Sequence, residues 1–268
     1  MDQTVPTILP ADLSPLLGSA PAPVLVDLRS AEQISAAGRL IPGAIRRSPA
    51  DVQTWWPELP RAHPVVVFDL SGGEKCRLTV ETLRQHGLQA SRLEGGFAVW
   101  RERKFPTRRV IATNEDKWVT RERPKIDRIA CPWLIRRFIN PGARFIYVPK
   151  TSVQAVAAET GATPYDIDGV EFGHAGPHCS FDAILRIYDL AIAPLEHLAT
   201  IVRGADTSRH DLAEQCGGLV AISLGLSANF PDDHEMLEHG MMIYDALYSW
   251  CRSQDATNGA PAAGGGAA

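Results

Sequence analysis

Three short apolar runs, at residues 24–28, 65–68 and 90–93, constrain the fold of this chain more than any other feature. The first two are almost pure valine, leucine and phenylalanine, which suits strands buried on both faces. A helical stretch follows each run: residues 31–38 after the first, 76–86 closed by Gly87 after the second, and a short helix through Trp100 after the third. Strands alternating with helices at this spacing predict an α/β domain with a doubly wound parallel sheet.

The second half reads differently. Residues 125–141 run Lys-Ile-Asp-Arg-Ile-Ala-Cys-Pro-Trp-Leu-Ile-Arg-Arg-Phe-Ile-Asn-Pro. Pro132 suits the first turn of a helix that Asn140-Pro141 stops. Asp127, Arg128 and Cys131 then lie on the run into a helix N-terminus, where backbone N–H groups favour anions and lower a thiol pKa. They are the candidate catalytic residues. The competing reading makes Cys131 a small buried hydrophobe and Asp127 a cap. Arg128, Arg136 and Arg137 are candidate oxyanion ligands; Arg128, on the N-terminal side, is the foremost. Beyond a strand at 145–148, helices are predicted at 152–159, 180–188, 195–203, 212–227 and 232–250, with an alternating, strand-like stretch at 165–172. This second region is therefore mostly α, an α+β domain with a small sheet.

No apolar run approaches the ~20 residues of a membrane helix, and the N-terminus has no secretory pattern. Five scattered cysteines among 268 residues suit reduced thiols and a cytoplasmic location. Between residues 101 and 137 there are twelve Lys/Arg against five Asp/Glu; between 205 and 245 there are eight Asp/Glu against Arg209 alone. The basic segment is either a face for anions or DNA or a set of solvated linker charges. Phosphate-loop and dinucleotide fingerprints are absent.

Two resemblances follow from particular motifs. Val26-Asp-Leu-Arg29, Ile41-Pro-Gly-Ala44, the 65–68 run with its Gly-containing loop and Glu94-Gly-Gly-Phe97 with Trp100 resemble the rhodanese family. The resemblance implies an active loop with a persulfide-carrying cysteine. Aligned on the family's Cys-x-x-Gly-x-Glu-x-Ser variant, Gly72 and Glu74 match, Asp69 stands in the nucleophile's place and Cys76 in that of serine. A carboxylate cannot carry a persulfide, so sulfurtransferase activity is expected to be absent. The 125–141 motif, with Gly173-His174, Cys179-Ser-Phe-Asp182, residues 201–207 and residues 232–238, resembles the C-terminal domain of the chromate-resistance protein family. That resemblance implies a role in chromate resistance, often as a regulator.

The expected organisation is a rhodanese-like domain at 7–108, a basic linker at 109–121, a chromate-resistance-type domain at 122–254 and a disordered tail at 255–268. A metal set is expected from His174, Asp182, Asp206, His234 and Glu238, because His234 and Glu238 share a helical face. This mixed N/O set suits iron, manganese or zinc. Helix caps and an ordinary salt bridge, His234 to Glu238 or to Arg203, are the competing account. Three functions remain open: a sensor or handler of chromate or another oxyanion, a metal-dependent enzyme, and a DNA-binding regulator using 101–137.

Overall fold

The structure is a computed structural model that describes residues 5–259. Its first half contains β1 (Thr7–Ile8), α1 (Pro10–Leu13), β2 (Val24–Asp27), α2 (Ala31–Ala37), β3 (Arg39–Leu40), β4 (Ile45–Arg46), α3 (Val52–Trp55), β5 (Val65–Phe68), α4 (Glu74–Gln85), β6 (Ala90–Leu93) and α5 (Gly96–Glu102). Five strands pair in the order β1-β6-β5-β2-β4, all parallel. Along β5, side chains alternate between faces: Val65 and Val67 join Val80, Leu83 and Trp55 on one side, whereas Val66 and Phe68 join Leu13, Phe97 and Trp100 on the other. The doubly wound sheet predicted for the first hundred residues is present.

The second half contains β7 (Arg108–Arg109), β8 (Lys117–Arg121), α6 (Asp127–Phe138), β9 (Arg144–Val148), α7 (Val153–Thr160), β10 (Thr163–Pro164), α8 (Ser180–Tyr188), α9 (Ala193–Asp206), α10 (Gln215–Asn229) and α11 (Asp233–Gly259). A three-stranded parallel sheet, β10-β8-β9, stands beside five helices of α6 and α8 to α11. Residues 109–121 are thus not a plain linker. They carry β8, the central strand, whose Trp118 and Val119 are fully buried. The alternating stretch at 165–172 is no strand either: a single bridge joins Tyr165 to Phe172 across a loop. The tail expected at 255–268 is helical through Gly259, and the rest lies outside the described residues.

One hydrophobic core spans both halves. Leu13, Leu17, Leu25 and Phe68 share a cluster with Trp133, Phe138, Tyr244 and Tyr248. At the seam Gly18 has φ +70, and a Cβ there would lie 1.9 Å from the Phe138 ring, so only glycine fits. The Gly43 N–H donates to the Phe138 carbonyl at 2.8 Å, and β3 pairs antiparallel with β7.

Helix α6 begins five residues earlier than Pro132 implies. Asp127 opens it and Pro132 is its sixth residue. A proline there leaves the carbonyl four residues back, that of Arg128, without its helical N–H. The Tyr147 hydroxyl donates to that oxygen at 3.5 Å. Cys131 is consequently mid-helix and fully buried, and burial, with Asp127 nearby, pushes its thiol pKa up rather than down. That is opposite to the activated thiol expected from a helix N-terminus.

Candidate functional site

Three segments distant in sequence meet at the N-terminal end of α6. His174 Nε2 lies 3.5 Å from Asp127 Oδ2, 3.2 Å from Asp166 Oδ1 and 3.2 Å from Asp206 Oδ2. Asp127 is fully buried, Asp166 nearly so, and His174 is half exposed. The carboxylates are held in different ways. Asp127 accepts from the Ser180 N–H (2.6 Å) and the Phe181 N–H (3.4 Å) at the start of α8, an orientation that helix N–H groups favour. Asp166 accepts from Ser180 Oγ (3.1 Å) and Arg121 Nη2 (2.9 Å), with Arg128 Nε at 3.2 Å. Asp206 is the last residue of α9, where the helix dipole disfavours a negative charge and favours a nearby cation.

Burial pushes the Asp127 carboxyl up, with Asp206 and Asp166 adding to the rise and His174 opposing it. Burial also works against the charged form of Asp166, but His174 and Arg121 outweigh it and hold that carboxyl below its ordinary range. Hydrogen bonds to Asp127, Asp166 and Asp206 raise His174 far above the usual imidazole range.

The backbone is strained around the site. Ile126, directly before Asp127, has φ +42 and ψ −96, and Asp166 has φ +51. For a β-branched residue such a conformation costs about 1–3 kcal/mol and persists only where neighbours enforce it. Ser223 Oγ accepts from the Ile126 N–H at 3.0 Å, and the Tyr244 hydroxyl donates to its carbonyl at 3.0 Å. Ser223→Ala is therefore expected to destabilise the fold by about 1–3 kcal/mol, the cost of an unmatched buried N–H. Denaturant melting checks this; an unchanged midpoint means that Tyr244 alone holds the turn.

Beside the cluster opens a cleft of about 210 Å³ lined by Arg121, Lys150, Asp166, Ile167, Asp168 and His174. It is smaller than the roughly 300–1,000 Å³ typical of drug-sized ligands. Arg121, Lys150, Asp166 and Ser180 were not among the sequence-predicted residues. The signal for Asp166 was faint: an aspartate in Asp166-Ile-Asp-Gly169, a turn-forming string hidden inside an alternating pattern.

The remaining predicted residues are placed elsewhere. Asp182 accepts from the Cys179 N–H, pairs with Arg203 through two bonds of 3.0 Å and lies 3.7 Å from His178. His234 and Glu238 are exposed, because Met236 and Leu237 take the buried face of α11. His234 meets the Tyr147 ring edge-on, and Glu238 pairs with Arg136 at 2.7 Å. Arg137 grips Asp245 with bonds of 2.8 and 2.7 Å, so both arginines are neutralised by α11 rather than free for an anion. Among the described residues, the His/Cys/Asp/Glu side chains that converge closely enough to share an ion are Asp127, His174 and Asp206, all within 4.8 Å of one another.

In the first half, the loop after β5 encloses its own side chain. Asp69 Oδ1 accepts from the N–H groups of Ser71 (2.9 Å), Gly72 (2.6 Å) and Gly73 (3.4 Å). Gly96 closes the loop from behind, where a Cβ would come within 2.6 Å of the Asp69 carbonyl and the Gly72 nitrogen. Glu74 opens α4 and pairs with Arg77, and Cys76 is buried inside that helix.

Fold and site together define a rhodanese-like parallel-sheet domain sharing its core with a mostly helical domain that carries a histidine–carboxylate cluster. The rhodanese-like domain model matches residues 9–103, and the model of the C-terminal domain of ChrB matches residues 118–251. The chain belongs to the ChrB C-terminal domain family. Protein ChrB of Cupriavidus metallidurans is 31% identical over 134 residues, covering 50% of this chain and 40% of the relative. The match thus spans about two-fifths of that relative's length. Among solved structures, a rhodanese-related protein from Thermoplasma volcanium is 25% identical with a TM-score of 0.34, covering 38% of this chain and 96% of that one. A rhodanese-like domain protein from Staphylococcus aureus is 25% identical with a TM-score of 0.32, covering 35% and 90%. No helix among the described residues is long and apolar enough to cross a membrane.

Proposed function

We propose that this chain is a chromate-resistance-associated protein that binds a small oxyanion in the Arg121–Lys150–His174 cleft, and that its rhodanese-like domain is a scaffold without sulfur transfer. One observation carries the oxyanion reading. The Nε atom of Arg121 is buried without a hydrogen-bond partner, its guanidinium meeting Asp166 through Nη2 alone. Guanidinium N–H groups left unmatched are costly unless something accepts from them, and an oxyanion oxygen is a suitable acceptor. Lys150 stands at the rim, 3.1 Å from the exposed Asp168, and can turn toward an anion.

The DNA-binding alternative has less support. Most guanidiniums of residues 101–137 are occupied within the chain. Arg108 pairs with Glu115, Arg121 and Arg128 with Asp166, Arg136 with Glu238 and Arg137 with Asp245, while Arg123 donates to carbonyls at the end of α10. A phosphate-binding face needs such charges unpaired at the surface.

Calorimetric titration of chromate and of sulfate into the full chain tests the oxyanion reading. Arg121→Lys is expected to weaken binding by about tenfold or more, since lysine lacks the two-pronged fork and one charge-assisted hydrogen bond is worth about 1.5–3 kcal/mol. Equal affinity in wild type and variant would place the anion elsewhere.

A further inference from the structure

We propose that Asp127, His174 and Asp206 form a binding site for one divalent transition-metal ion, open toward the Arg121–Lys150 cleft. The inference goes beyond the oxyanion reading and does not depend on it.

The donor spacing fits an ion. His174 Nε2 stands 3.2 Å from Asp206 Oδ2 and 3.5 Å from Asp127 Oδ2. Donor atoms around an ion with bonds of about 2.0–2.2 Å lie roughly 3–3.5 Å apart, whether the geometry is tetrahedral or octahedral. Small side-chain rotations suffice to close the set.

The supports are already built. Asp127 is held by two backbone N–H groups at the start of α8. Orientation of ligands by such outer partners is the usual companion of a metal centre. Asp206 stands at the C-terminal end of α9, where a positive charge beside it would offset the unfavourable helix dipole. Asp166 is not needed as a ligand, because both of its oxygens are already engaged by the guanidiniums and Ser180.

One fully buried donor and two partly exposed ones therefore converge within 4.8 Å of one another, which leaves the set reachable from solvent. One imidazole and two carboxylates, without a thiolate in the set, select Mn(II), Fe(II) or Zn(II).

The rival arrangement is an imidazolium His174 clamped by three carboxylates, with no metal at all. Equilibrium dialysis of the full chain, without chromate or sulfate, against Zn(II) and against Mn(II) separates the two. For Mn(II), electron paramagnetic resonance reads the bound ion directly. The expected result is one ion per chain, with affinity lowered by more than about tenfold in His174→Gln and in Asp206→Asn. Asp182→Asn and Glu238→Gln, outside the cluster, should bind as wild type does. Asp127→Asn disturbs the buried start of α8, so the two more exposed ligands decide the question. Failure of wild type to retain a stoichiometric ion, or equal retention by His174→Gln and Asp206→Asn, overturns the site.

Discussion

Phe138→Ala should destabilise the chain by about 3–5 kcal/mol, the usual range for deleting a buried phenylalanine, and should melt both halves together. Phe138 is fully buried at the end of α6, with its ring centre 5.8 Å from that of Trp133 and 5.5 Å from that of Tyr248. The tip of its ring lies against Gly18 of the rhodanese-like domain, so closely that no Cβ fits between them. The void left by alanine would therefore open between the domains rather than inside one of them. Tyr248 adds a hydrogen bond from its hydroxyl to the Leu17 carbonyl at 3.3 Å, and the same cavity would loosen it. Gly18→Ala should be costly as well, through both the clash and the positive φ. The double variant should cost less than the two single costs together, since alanine at 138 removes the obstacle. Hydrogen exchange followed by mass spectrometry during denaturation checks the cooperativity. Separate midpoints for residues near β5 and residues near α8 would mean that the shared core does not couple the domains.

That coupling was not legible in the sequence, and the reason is physical. Strands β2, β5 and β6 announce themselves locally, because a strand buried on both faces needs an unbroken apolar run. Strand β8 does not. Its Trp118-Val119-Thr120 core sits between Lys117 and Arg121, and its partners β9 and β10 lie more than twenty residues away. Once β8 is taken for linker, Arg121 loses its role, and with it the partner that marks Asp166 as more than a turn residue. A similar limit governed α11. His234 and Glu238 do share a helical face, but spacing fixes only which residues lie together, not which face turns inward. Met236 and Leu237 settled that by packing inward. Asp127, His174 and Asp206 each stood out in a separate motif. Nothing in the chain order joins them, because α6, the loop before α8 and the end of α9 meet only through tertiary packing.

The wild-type chain should show no thiosulfate:cyanide sulfurtransferase turnover, whereas Asp69→Cys should acquire persulfide on treatment with thiosulfate. The argument rests on what fills the loop after β5. Three successive N–H groups, from Ser71, Gly72 and Gly73, converge on one oxygen of Asp69. Such a nest stabilises any concentrated negative charge, a thiolate or terminal persulfide sulfur included. Here the charge is a carboxylate, which has no sulfur to transfer and already takes the three N–H groups that an external anion would use. The cradle itself depends little on that side chain: Arg92 Nη1 donates to the Gly72 carbonyl at 3.1 Å, and the N–H groups of Phe97 and Ala98 bond the Asp69 and Leu70 carbonyls at 2.9 Å. A cysteine at 69 should thus find the donors still in place, and mass spectrometry should detect one added sulfur on it. The natural rival is Cys76, but it is fully buried in α4, and burial together with the neighbouring Asp69 carboxylate pushes its thiol pKa up. Both effects suppress the thiolate that attack on thiosulfate requires. Persulfide on Cys76 in the wild-type chain, with turnover abolished by Cys76→Ser, would show instead that the loop opens and that the sulfur chemistry has moved one helical turn into α4.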